Sequence, residues 1–452
     1  MTVASRIPTS LWPPASPQTT RPGTHTSKNC VSSRVPFVTE IVLLGYALNQ
    51  PITEVAWPAK LETIEFRGRF NQPIAGVVWP ASLLQLSFGN RFNRPITGVV
   101  WPASLQQLSF GNRFNRPITG VVWPASLQQL SFGSYFDQPI TGVMWPPTLQ
   151  QLSFGYWFNQ PLAEVAWPAK LKKIEFRGSF DQPIASVVWP ASLLHLAFGR
   201  HFNQPIAGVV WPDSLQKLSL GDEKFNQPIV GVVWPASLQE LSFPSAFNQP
   251  IVGVLWPPSL PQLNFGYYFN QPIAEVAWPA SLEQLSFGIM FNQPIVGVVW
   301  PASLQQLSLG NGFNQPIAEV VWPASLRQLS FGDQPYAGVA WPASLEALSF
   351  RSEFNQPIAR VVWPACLQQL SFGAKVNQPI AEAVWPASLQ NLSFGDEFNR
   401  PITGAGWPAN LERIKLGDGF NQPIDEVVWP TSLQYLAVGS RVHRVLNGTR
   451  LK

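Results

Sequence analysis

Leu105–Ser126 reads LQQLSFGNRFNRPITGVVWPAS, a 22-residue unit that the chain writes out repeatedly. Its Trp-Pro pair recurs 18 times, from Trp57 to Trp429. Successive tryptophans stand 22 residues apart with two exceptions. The interval is 23 before Trp234, where Asp222-Glu223-Lys224 holds an extra residue, and 19 before Trp341, where Phe331-Gly332-Asp333-Gln334-Pro335 lacks three. A fixed period in this range marks a solenoid, in which each repeat buries its apolar face only against its neighbours.

We number the unit from its first leucine. Apolar residues then stand at positions 1, 4, 6, 10, 14, 17 and 19, here Leu105, Leu108, Phe110, Phe114, Ile118, Val121 and Trp123. Neither a helical nor a strand period fits throughout, but Leu-Ser-Phe at positions 4 to 6 alternates as a short strand does. Prolines at positions 13 and 20 remove backbone donors and clash with a preceding turn, so no helix longer than one or two turns fits in a rung. The expected rung is one short strand, a turn and an extended, polyproline-like return with a single 3₁₀ turn at Pro-Ala-Ser. Stacked copies would align their strands into one long parallel sheet with an irregular, proline-rich convex side. At roughly 4.7–4.9 Å per strand, such a stack is about 85 Å long.

Composition agrees with one elongated domain. Hydrophobic residues make up 46% of the 452, ample for a core, and charged residues only 12%, about half the usual share. The formal net charge of +4 is spread out, without the cationic runs that mark phosphate binding, so no nucleic acid is expected. Two cysteines, Cys30 and Cys366, exclude a disulfide framework or a zinc spacing and point to a reducing, intracellular compartment, the cytoplasm. Proline in every repeat leaves no run of transmembrane length.

The ends depart from the pattern. Residues 1–34 are rich in Ser, Thr and Pro, carry Arg6, Arg21, Lys28 and Arg34 and no acid, and read as a disordered tail or an organelle-targeting segment. From Val35, VPFVTEIVLLGYALNQP aligns without gaps on WPASLQQLSFGNRFNRP, which makes residues 35–51 a degraded N-terminal cap repeat. The solenoid then extends to Val438, and residues 439–452 form a basic tail. Glu54 to Leu61 returns at 164–171, so a block of five rungs was duplicated.

The text SLQQLSFGNRFNRPI…WP resembles the FNIP repeat, a 22-residue relative of the leucine-rich repeat with the pattern SLxxLxFGxxFNQPL…LP. The likeness runs from Val35 to Val438. It implies a right-handed, leucine-rich-repeat-like solenoid used for protein binding. In that family the array is sometimes joined to an F-box or kinase domain, and no such text occurs here. Trp also replaces the family's usual Leu before the second proline.

The columns of the repeat suggest roles. Position 11 is Asn (Asn71, Asn93, Asn115, Asn159, Asn203) or Asp (Asp137, Asp181, Asp333), suited to bonding the backbone of its own and adjacent rungs. Tryptophan at position 19 shares a face with apolar position 17, which places it in the core. If exposed instead, the column would form a stacking platform for carbohydrate or single-stranded nucleic acid. Position 7, usually Gly but also Arg67, Arg177, Arg351 and Pro244, cannot require positive φ everywhere. Position 16 mixes Gly, Glu and Arg and reads as solvated. Gln and Ser at positions 3 and 5 face outward, where the glutamines would ladder with one another.

Variation concentrates at positions 8 and 9, just after the strand, where binding residues are carried on loops of a rigid scaffold. The candidate protein-binding residues are Tyr135, Tyr156 and Trp157, preceded by Arg69, Arg91 and Arg113, together with Tyr267 and Tyr268. Four histidines (His25, His195, His201, His443) form no catalytic or metal-binding spacing, and no nucleophile elbow or phosphate loop occurs. The reading is therefore a non-catalytic scaffold for unidentified protein partners, needing no cofactor. The alternatives are the aromatic rod just described and a recently expanded array without a specific partner.

Overall fold

The computed structural model describes residues 39–43, 49–332, 339–359, 361–439 and 441–444. It divides into two compact units, residues 1–204 with 209–215, and residues 205–208 with 216–452. Both are parallel β-solenoids. Each rung contributes one strand of three or four residues at positions 3 to 5 or 6, and no helix occurs among the described residues. In the first unit, strands from Glu40–Leu43 to His195–Ala197 pair parallel, each with the next in sequence. In the second, the parallel run extends from Lys217–Ser219 to Tyr435–Val438, whose outer edge is taken by the antiparallel strand Arg441–Arg444.

Like residues oppose like: Gln85 faces Gln107, Leu86 faces Leu108 and Ser87 faces Ser109. A slip of one residue would turn Leu-4 and Phe-6 out to solvent, so the buried pair pins the register. The irregular intervals respect it. Lys217 still opposes Glu240 across the inserted residue, and Gln328 opposes Ala347 across the three-residue deletion. At the N-terminal end the gapless alignment needs a correction. Ile41, not Val42, opposes Ile64, while Asn49 occupies position 11 and accepts from the Asn71 N–H. One extra residue therefore falls between Leu43 and Asn49, outside the described residues.

Three turns complete the rung that begins at Leu105. The Phe114 N–H donates to Gly111 O (3.2 Å), Val121 N–H to Ile118 O (3.2 Å) and Leu127 N–H to Pro124 O (3.1 Å). The last is an isolated β-turn, not the expected 3₁₀ turn. The next two amides, of Gln128 and Gln129, are drawn instead to Gln106 O of the preceding rung at 2.8 and 2.9 Å. Position 16 is exposed, as expected for a solvated column, yet most of its glycines, such as Gly120 with φ +79°, lie in the left-handed region of a type II turn. Glu164 adopts that conformation too, at φ +64°. Glycines at position 7 answer to a different need. A Cβ on Gly111 would sit 2.2 Å from Gly89 O, so the column allows rung backbones to approach closely.

Position 1, 4, 6, 10 and 14 side chains are buried almost completely. Phe-6 and Phe-10 form a zigzag of rings: Phe110 lies 4.2 Å from Phe114 and 5.8 Å from Phe132. Each buried ring contributes about 1.5–3 kcal/mol. Tryptophans line the other side; Trp79 stacks on Trp101 at 6.5 Å, and each is 7% exposed. Eleven of the 18 tryptophans are buried and the other seven half-buried, so the column does not form the exposed stacking platform that the carbohydrate or single-stranded nucleic acid reading needs.

Polar ladders tie the rungs. Asn93 Oδ1 accepts the Asn115 N–H at 3.0 Å, Asn115 Oδ1 accepts that of Asp137 at 3.1 Å, and Asp137 Oδ1 accepts that of Asn159 at 2.9 Å. Asn and Asp are interchangeable because only an acceptor is required; Asp333 lies outside the described residues. On the sheet face it is the serines that join, as in Ser109 Oγ to Ser87 Oγ at 2.8 Å, whereas Gln85, Gln107 and Gln129 are not hydrogen-bonded to one another.

Candidate functional site

The loops at positions 8 and 9 are held by a second ladder. The Arg113 N–H donates to Asn90 O (3.0 Å), that of Tyr135 to Asn112 O (2.8 Å) and that of Trp157 to Ser134 O (2.8 Å). Because these three amides are bonded to the rung before, the side chains of Arg113, Tyr135 and Trp157 leave a fixed backbone line. Arg69, Arg91, Arg113, Tyr135 and Trp157 thus form one exposed column in successive rungs of the first unit. Tyr135 is 53% exposed and Trp157 51%. Tyr267 and Tyr268 occupy the equivalent loop in the second unit, their rings 4.7 Å apart.

Tyr156 behaves differently. Its ring meets the edge of Trp157 at 5.1 Å and then crosses the neighbouring rung, where a Cβ on Gly178 would collide with it at 2.5 Å. The phenol reaches His201, its oxygen 3.4 Å from Nε2, so Tyr156 is half-buried. His201 and Gly178 were not among the expected site residues. Tyr156 and His201 stand 45 residues apart, and only the small Arg177-Gly178-Ser179 loop between them permits the contact.

The arginines fall into two groups. Arg67 pairs with Glu65 through Nε at 2.6 Å and a second nitrogen at 2.9 Å, and this hydrogen bond holds the guanidinium above its ordinary pKa. Arg69, Arg91 and Arg113 have no carboxylate within ion-pair distance among the described residues. These three arginines therefore form a short cationic row. In the duplicated block, Lys173 and Arg177 flank Glu175 at 2.7 and 3.8 Å, and Ser153 Oγ donates to it at 3.1 Å. Burial alone would raise the Glu175 carboxyl, but these neighbours outweigh it and hold the group below its usual range.

Three grooves follow the repeat. One of about 710 Å³ runs beneath the first-unit loops, between Arg67 and Arg177, with Gly111, Asn112, Ser131 and Tyr156 in its wall. Another of about 350 Å³ lies on the Gln and Ser sheet face of that unit. The third, of about 510 Å³, follows the sheet face of the second unit from Asn264 to Arg413, Lys415 and Tyr435. On the opposite side, position 18 exposes a row of aliphatic side chains; Val100 is 79% exposed. These side chains precede the tryptophans, which are half-buried after Ala56, Ala166, Ala277 and Gly406 and also after Met144 and Val428. Among the described residues no group of three or more His, Cys, Asp or Glu could hold a metal ion, and no helix is long and apolar enough to cross a membrane.

The FNIP repeat profile matches residues 70–113, 114–157, 158–201, 202–246, 247–289 and 291–334, more than half of the chain. The chain belongs to the FNIP repeat family. Among solved structures, this FNIP array is 42% identical to CroV588, described as a novel circular LRR protein, with a TM-score of 0.78 over 87% of this chain and 58% of that one. It thus spans less than two thirds of CroV588. At 14% identity and a TM-score of 0.52 it shares its fold with a chain of the Drosophila Toll–Spatzle complex, covering 83% of this chain and 54% of that one. YopM from Yersinia enterocolitica is 17% identical, with a TM-score of 0.45 over 89% and 91% of the two chains. No curated protein matches the chain in sequence.

Proposed function

We propose that the chain is a non-catalytic scaffold that binds protein through its exposed sheet faces and the loops at positions 8 and 9. The first-unit patch comprises Tyr135, Tyr156, Trp157, Arg69, Arg91 and Arg113; Tyr267 and Tyr268 form a second. The observation that carries this reading is the half-exposure of Tyr135 and Trp157 in adjacent rungs whose loop amides are bonded to the rung before. Tyr, Trp and Arg dominate binding energy at protein interfaces, and a preorganised backbone lowers the ordering cost of association. Affinity capture from a native lysate, comparing wild type with Tyr135→Ala/Trp157→Ala, tests it. Proteins retained by wild type and lost by the variant are expected. Equal recovery would remove the patch.

A further inference from the structure

Charged side chains cluster in the loop columns of both units, cationic in the first and acidic in the second beyond the Lys375–Glu353 pair. In the first, Arg69, Arg91 and Arg113 occupy three successive rungs. In the second, Asp396, Glu397 and Asp418 occupy two successive rungs, all exposed. None of these six side chains has an ion-pair partner among the described residues. The acidic rungs share the build of the cationic ones: Glu397 N–H donates to Ala374 O at 2.8 Å and Gly419 N–H to Asp396 O at 2.7 Å, as Arg113 N–H does to Asn90 O at 3.0 Å. Gly395 and Gly417 stand at position 7 just before the acids, as Gly89 and Gly111 do before Arg91 and Arg113.

We infer that the arginine row of one molecule docks on the acidic row of a second copy of the same chain. Charge complementarity supports this occupant, since three exposed arginines meet three exposed carboxylates. Both patches belong to one chain, so every copy offers both halves of the contact. Like charges held in a row without counter-charges repel, and a complementary row relieves that repulsion. The contact uses the loops of the proposed binding surface but not their aromatic residues, so the Tyr135→Ala/Trp157→Ala variant leaves it intact and the two readings fail separately.

Sedimentation equilibrium of the full chain, over a concentration series at low and high salt, tests the inference. For wild type the average mass should rise above the 50.1 kDa of one chain at low salt. It should fall back at high salt, where the screening length drops to about 3 Å at 1 M. Arg69→Glu/Arg91→Glu/Arg113→Glu and Asp396→Lys/Glu397→Lys/Asp418→Lys should each weaken association on the order of tenfold or more. An equimolar mixture of the two should associate again, because each then meets its complement. Unchanged tryptophan emission would show that both variants retain the stacked core. A wild-type mass that stays at one chain, association that survives in either variant, or a mixture that fails to recover it would each overturn the pairing.

Discussion

Replacing Asn115 by Ala tests the ladder that ties one rung to the next. Its Oδ1 accepts the Asp137 backbone N–H at 3.1 Å and Gln138 Nε2 at 2.8 Å. Alanine removes this acceptor and with it both hydrogen bonds. The Asp137 amide sits in a partly buried turn, so leaving it unbonded costs about 1–3 kcal/mol. Gln138 is half-buried and can turn to water, which adds little. The expected loss is about 2 kcal/mol, concentrated in the rungs either side of the substitution because a repeat array communicates through nearest neighbours. Asn115→Asp should be nearly neutral, since Asp137 already accepts from the Asn159 N–H at 2.9 Å and from Gln160 at 2.8 Å. Amide hydrogen exchange is the suitable assay, because global melting of an array need not be two-state. If the Asp137 amide exchanges through local opening, the Ala variant should speed it by about 30-fold. Unchanged exchange in Asn115→Ala, or equal acceleration in Asn115→Asp, would refute the acceptor argument.

Two further outcomes follow from the core and the charged block. Trp123→Leu should cost less than Trp123→Ala, because leucine refills part of the space the ring leaves, though it loses the stack on Trp145. Trp123→Ala should cost about 3–5 kcal/mol by opening a cavity, and urea unfolding of the two variants compares them. Glu175 is held below its ordinary pKa despite partial burial, so its folded pKa lies below the unfolded one. Its contribution is present above the unfolded value and is lost as pH falls through the folded value. Wild type should therefore lose more stability than Glu175→Gln on acidification below about pH 4.5. The difference should stay within about 1 kcal/mol because the flanking pairs are partly exposed; thermal melts across pH measure it, and parallel curves would contradict the assignment.

The period, the strand at Leu-Ser-Phe, the buried tryptophans and the Asn ladder were legible from residue order alone. All express interactions between equivalent positions of consecutive rungs, which repetition displays directly. The turn at Pro-Ala-Ser was less legible, because whether it continued as 3₁₀ depended on the competing carbonyl of another rung. The one-residue shift at Ile41 likewise came from pairing with Ile64, not from the likeness of the two texts.

The candidate surface divides along the same line. Sequence identifies positions 8 and 9 as variable and names Tyr135, Trp157 and the three arginines, since these differ among otherwise similar copies. Tertiary structure alone places Tyr156 across Gly178 against His201. It also gathers cations scattered at 22-residue intervals into a row without counter-charges. The physical reason is that a solenoid converts distance along the chain into adjacency across rungs. The repeat specifies which columns exist, but the contacts between unlike residues in neighbouring columns depend on side-chain reach and on how much room the intervening rung leaves.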